Sequence, residues 1–168
     1  MAVTHPHRSP ATGGGSPLAL LAFLAASLAV AVGGGLATAG NVDGWYADAD
    51  KPAWTPPNGV FGPVWTVLYA VMAVAAWLVW REGGWVRQRG PLGLYFVQLA
   101  LNLAWAPVFF AVERLGLALA VIVALDVVLA ATVGAFWRVR PLAGALLLPY
   151  LGWCLFATSL NAGFLWAV

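Results

Sequence analysis

Residues 45–80 read WYADADKPAWTPPNGVFGPVWTVLYAVMAVAAWLVW, and this stretch decides the fold. Its first half crowds Trp and Pro together. The pairs Lys51-Pro52 and Pro56-Pro57 fix the backbone and disfavour helix, which predicts a stiff loop rather than a flexible linker. Its second half is apolar, with Pro63 as a favoured first-turn residue of a helix running to Trp80. Trp65, Tyr69, Met72, Ala76 and Trp80 then fall on one face of that helix. The pattern is that of a lid leading into a membrane-buried helix whose aromatic side chains line a ligand cavity.

Working outward, the composition agrees. The chain has 168 residues, 62% of them hydrophobic and 8% charged, with a mean hydropathy of +0.87. So few polar side chains cannot cover a water-facing surface, so the outside must face lipid. The expected fold is an all-α membrane protein, a bundle of five transmembrane helices forming one domain over residues 18–168. A net charge of +2, spread along the chain, gives no reason to expect a nucleic-acid partner. With Cys154 as the only cysteine, no disulfide within the chain is possible.

Residues 1–17 are rich in Gly, Pro, Ser, His and Thr and read as a disordered tail. A signal peptide is the rival reading, but an h-region runs only about 7–15 residues, whereas the run 18–39 is long enough to span. The other spans are read at about 63–80, 92–110, 117–137 and 142–166, each near the ~20 residues a bilayer core requires. The lid loop occupies 41–62, and 81–90 reads as a basic turn. Pro107 and Pro149 are read as kink sites. In the first span Ala25, Ala29 and Gly33 recur four apart and would let another helix approach closely. Arg8, Arg81, Arg87, Arg89, Arg138 and Arg140 fall on one side, against Lys51 and Arg114 on the other. For a bacterial cell membrane this puts the N-terminus in the cytoplasm and the lid on the far side.

Three spans carry stripes that mix aromatic with amide or hydroxyl side chains. Besides the stripe from Trp65, these are Gln98, Asn102, Trp105 and Phe109, and Tyr150, Trp153, Ala157 and Asn161. One such stripe alone is better explained by helix packing. Three together, with Ala157 leaving space, point to a cavity for a flat apolar ligand. Trp80, Trp85, Trp137 and Trp166 lie at span ends, as an interfacial belt would. Asp126 is the one acid inside a span; with no second group for a relay, a protonated side chain bonded across a helix interface is preferred to an ion pathway. No metal site is expected: His5 and His7 lie in the tail, and no zinc or haem-ligand spacing exists. Neither a phosphate-binding loop nor a Ser/His/Asp arrangement is present.

The segments WYADADKPAWTPPNGVFGPVWTVLY (45–69), QLALNLAWAPVFF (98–110) and PYLGWCLFATSLN (149–161) together resemble the TspO/MBR family. These are the tryptophan-rich sensory proteins and mitochondrial translocator proteins, or peripheral-type benzodiazepine receptors. The resemblance implies a five-helix bundle, commonly a homodimer, whose first loop closes over a pocket for porphyrins such as protoporphyrin IX and haem. It places Trp65, Asn102 and Trp153 in the pocket and makes Ala157 a small residue that tunes affinity. It also assigns Trp45, Tyr46, Lys51, Pro52 and Trp54 to the lid. Light-dependent porphyrin degradation, reported for some bacterial members, would make Trp65 and Trp153 the catalytic candidates. Animal members also bind cholesterol, but the Tyr and basic residue that follow the LN pair there are missing from LNAGFLWAV.

Stripes and resemblance combined give a ligand set of Trp65, Tyr69, Gln98, Asn102, Trp105, Trp153 and Ala157. The rings would stack on the ligand, Asn102 would hydrogen-bond it, and Lys51 would meet a propionate. The expectation is a membrane receptor for porphyrin or haem that requires no cofactor and has membrane lipid as its surroundings. A porphyrin or lipid transporter and a light-dependent enzyme are the alternatives.

Overall fold

Every long apolar run of the sequence is helical in the computed structural model, which describes residues 16–41 and 44–167. Arg8, His5, His7, Asp43 and nearly all of the 1–17 tail lie outside the described residues. The helices are α1 (Pro17–Ala39), α2 (Trp45–Asp48), α3 (Asn58–Trp80), α4 (Gly84–Phe110), α5 (Leu115–Val139) and α6 (Pro141–Ala167). All but α2 are long and apolar enough to cross a membrane, and there is no strand among the described residues. The chain is an all-α, multi-pass membrane protein.

Three boundaries differ from the sequence expectation. Helix α3 starts at Asn58, so Pro63 sits inside it rather than in its first turn. That early start brings Phe61 against Trp153, with ring centroids 5.8 Å apart, and leaves one backbone bond that Pro63 cannot make. The basic turn is shorter than 81–90, because α4 already begins at Gly84. Gly83 and Gly84 take φ of 139° and 64°, values few other residues tolerate, and they reverse the chain within three residues. The helical dihedrals of α4 then lapse once, at Gln88 (φ −112°, ψ 19°), and its side chain donates to the Glu82 carbonyl at 3.2 Å. Trp85 before the break stacks on Phe96 after it, at 5.7 Å. Thirdly, the lid is not all loop, for residues 45–48 form the single turn α2.

In lipid, burying apolar surface does not drive helices together; close packing and interhelical hydrogen bonds do. Helix α3 supplies the close packing, since Ala73, Ala75 and Ala76 are fully buried and let neighbours approach. Tyr95, Leu125, Leu129, Phe136, Leu147 and Tyr150 fill the centre from α4, α5 and α6. Helix α1 lies outside, packed on α3 and α4 through Phe23, Ser27 and Val30. Ser27 and Tyr95 share a hydrogen bond of 2.7 Å across that contact. The small-residue stripe read from sequence is only partly used: Ala25 and Ala29 are exposed, while Gly33 meets Leu103 so closely that an added Cβ would lie 2.8 Å from it.

Candidate functional site

Beneath the lid, between α1, α3, α4 and α6, is a cavity of about 430 Å³. That lies within the roughly 300–1,000 Å³ typical of small-molecule sites. Its walls are built by the three stripes. Helix α3 contributes Phe61, Trp65 and Tyr69, α4 contributes Asn102, Trp105 and Ala106, and α6 contributes Trp153 and Ala157. Trp65 stacks on Tyr69 at 5.6 Å and meets Trp153 edge-on at 6.4 Å, so the indoles form a corner rather than a closed stack. Such a corner leaves π-faces for a flat guest.

The floor is a directional hydrogen-bond chain. Tyr69 Oη donates to Asn102 Oδ1 at 2.5 Å, and Asn102 Nδ2 donates to Tyr150 Oη at 2.8 Å. Tyr150 donates in turn to Gln98 Oε1 at 2.8 Å, whose amide reaches Met72 Sδ at 3.8 Å. Each tyrosine proton therefore sets one amide, and the orientation of Asn102 is dictated from both sides. Its second amide N–H stays free of this chain.

The indole nitrogens differ in use. Trp105 Nε1 donates to Asn161 Oδ1 at 3.2 Å, and Asn161 holds the Leu115 carbonyl at 3.0 Å, tying α4, α6 and the start of α5 together. Trp153 Nε1 is buried and has no partner among the described residues. Buried polar groups are almost always paired, so an unpaired donor in a cavity wall marks where an acceptor is wanted.

The lid is latched to α4 and α6. Trp45 Nε1 donates to the Phe110 carbonyl at 2.9 Å, and Tyr46 is buried among Phe109, Phe110 and Phe164. Burial pushes the Tyr46 phenol above its usual pKa. Of the five lid residues named from sequence, only Tyr46 lines the cavity. Lys51 lies over the Tyr46 ring, its Nζ 4.8 Å from the centroid, and donates to the Ala47 carbonyl at 3.3 Å. Pro52 and Trp54 rest on Gly163, where a Cβ would come within 2.5 Å of Pro52 Cγ. Only glycine leaves the lid its seat.

The structure thus brings Trp65, Tyr69, Asn102, Trp105, Trp153 and Ala157 together around one space. Gln98 is not part of the lining; it is buried under Tyr150 and acts through it. Sequence reasoning missed the α1 wall, made by Ala31, Gly34, Gly35, Thr38 and Ala39, and the contributions of Phe61 and Phe110. The one available signal was the Gly33–Gly35 run in that span. Asp126 sits apart, on the α5–α6 seam. Its Oδ2 is 2.6 Å from Thr158 Oγ1, which is also 3.0 Å from the Cys154 carbonyl. One hydroxyl has one proton for two acceptors, so a protonated Asp126 that donates to Thr158 satisfies these three atoms, while Asp126 Oδ1 has no partner among the described residues.

Comparison with known proteins finds relatives over most of the chain. Residues 22–167 match the model of the TspO/MBR family. The chain is 48% identical to the human translocator protein over 119 residues, covering 70% of each chain. It is 43% identical over 141 residues to the tryptophan-rich sensory protein of Cereibacter sphaeroides, covering 84% of this chain and 85% of that one. With the tryptophan-rich protein TspO of Archaeoglobus fulgidus it shares 40% identity over 144 residues, 86% of this chain and 93% of the relative.

Proposed function

This chain belongs to the TspO/MBR family, and from that premise we propose that it is a membrane receptor whose cavity binds porphyrins, with protoporphyrin IX and haem as the model ligands. Family membership and five apolar helices support a membrane receptor or transporter role in general. The finer reading rests on one observation, the aromatic corner of Trp65 and Trp153 with a buried, unpaired N–H beside it. A macrocycle supplies a flat π-face for the corner and carboxylate or ring-nitrogen acceptors for Trp153 Nε1 and the free Asn102 N–H. Lys51 is the nearest lid cation for a propionate, and to reach one it must leave the Tyr46 ring.

In this reading the protein lies in a bacterial cell membrane as a homodimer, with its N-terminus in the cytoplasm. Support for the orientation comes from Arg81, Arg87, Arg89, Arg138 and Arg140 at one end of the bundle. The Arg140–Glu82 pair, 3.4 Å apart, joins two turns at that end.

Titration of the purified protein with protoporphyrin IX tests the reading, following tryptophan quenching and the porphyrin absorbance band. Saturable quenching that is lost in Trp65→Ala/Trp153→Ala is the expected result; unchanged affinity in that variant would refute it. The same titration under illumination tests the enzymatic alternative, in which Trp65 and Trp153 act on a photoexcited porphyrin. Light-dependent loss of the band, slowed by Trp65→Phe, would favour it. Flux into sealed proteoliposomes separates receptor from transporter.

A further inference from the structure

We propose that the cavity opens sideways into the bilayer through a portal between α1 and α3, and that a membrane-dissolved ligand enters there rather than past the lid. The inference rests on the reading of the cavity as a site for a lipid-soluble guest. It adds the route.

Three independent features converge on the portal. First, every exposed residue that lines the cavity belongs to α1 or α3: Gly35 and Ala39 on one, Asn58, Gly62 and Thr66 on the other. Those lining it from the lid, α4 and α6 are buried or half-buried. Toward α6 the wall is shut by the Phe61–Trp153 contact. The two outer helices are pinned at their far ends, where Trp77 Nε1 donates to the Ser16 carbonyl at 3.3 Å. Near the lid both rims are bare among the described residues: a Cβ added at Gly35 or at Gly62 would meet no atom within 4 Å.

Second, the portal lies at hydrocarbon depth. Helix α3 has 23 residues, or about 34 Å, close to the ~30 Å of a hydrocarbon core. Thr66 is eight residues inside its start, about 12 Å along the axis, and Gly35 is four residues from the end of α1, about 6 Å in. An opening there is tolerable only if its rim leaves no polar group unmet. Below Asn58, which lies at the very start of α3, both rims meet that condition in the same way. Thr38 Oγ1 donates to the Gly34 carbonyl and Thr66 Oγ1 to the Gly62 carbonyl, each at 2.9 Å. A Gly–Thr pair four residues apart thus turns its hydroxyl inward on each helix, leaving methyl groups and bare glycine at the edge.

Third, the competing route is fastened. The Trp45–Phe110 hydrogen bond, the burial of Tyr46 and the seat of Pro52 on Gly163 all hold the lid down. The portal needs no such contact to break.

The test uses the full chain in liposomes that carry protoporphyrin IX in their bilayer, with tryptophan quenching followed by stopped flow. Gly62→Phe and Gly35→Phe fill the gap from opposite rims, so a folding defect in one leaves the other as the test. The association rate is expected to fall by about tenfold in each variant and the dissociation rate to fall with it, the mark of a blocked path rather than of a lost contact in the site. Val67→Phe, a neighbour that is exposed to lipid but outside the cavity lining, should leave both rates alone. Unchanged rates in both glycine variants would overturn the portal, and so would a weaker Kd at an unaltered association rate. Absence of saturable binding by the parent protein would overturn the reading of the cavity itself.

Discussion

Replacing Tyr150 with Phe removes one oxygen from a side chain with no exposed surface, and two hydrogen bonds go with it. The ring stays, keeping its edge contact with Trp65 at 6.1 Å. What remains unmet is Gln98 Oε1 and one N–H of Asn102. Interhelical hydrogen bonds in membranes average about 0.6 kcal/mol and reach about 1.7, so two of them put the loss at about 1–3 kcal/mol. Reversible unfolding in mixed micelles measures it, and a cycle with Gln98→Leu isolates the pair. In the Tyr150→Phe background Gln98→Leu should cost about 1 kcal/mol less than in the parent, since it deletes an already orphaned carbonyl. Additivity within about 0.3–0.5 kcal/mol would refute the chain of bonds described for the floor. Tyr150→Phe should also weaken the porphyrin titration although Tyr150 does not line the cavity, because Asn102 loses one of the two groups that orient it.

Other substitutions probe the walls and the lid. Ala157→Leu projects a larger side chain into the cavity and should weaken binding by about 1–3 kcal/mol, roughly 5–150-fold, with little change in thermal stability. Trp153→Phe keeps a ring against Phe61 and deletes the unpaired N–H; a ligand with an acceptor should lose about 0.5–1.5 kcal/mol more in titration than a same-shaped ligand without one, which loses only stacking area. Gly163→Leu drives a side chain into Pro52 and should unseat the lid, seen as faster amide exchange over residues 45–57 with the helices unaffected.

The five spans were legible because hydropathy and length are properties of each segment alone. The α3, α4 and α6 walls were legible because a helix repeats its face every three to four residues, which aligned Trp65 with Tyr69 and Gln98 with Asn102. What periodicity does not report is depth along the radius. Gln98 and Asn102 share a stripe, yet one lines the cavity and the other lies under Tyr150. The α1 wall was hidden for a related reason: Gly34 and Gly35 contribute by having no side chain, so no pattern announces them. Pro63 was read as a helix start because propensity favours it there, but Phe61 packs only if the helix begins earlier. The aspartate on α5 was placed correctly at a helix interface, whereas its partner Thr158 could not be chosen without the α5–α6 register.

Helix α1 buries three residues, against eight for α3. In folding terms it is therefore a late addition. A helix this apolar is stable across a bilayer before it has neighbours, and its docking is a separate, second step. The contacts that tie α3, α4, α5 and α6 to one another, including the whole tyrosine–amide chain, do not involve it. The cheapest partial unfolding of the molecule is then the undocking of α1 from an intact four-helix remainder, at a free energy below that of global unfolding. Because α1 is also one wall of the cavity, a ligand that touches it acts as a clamp on this weakest joint, and occupancy will register first as slowed exchange at Ser27–Tyr95 rather than in the core.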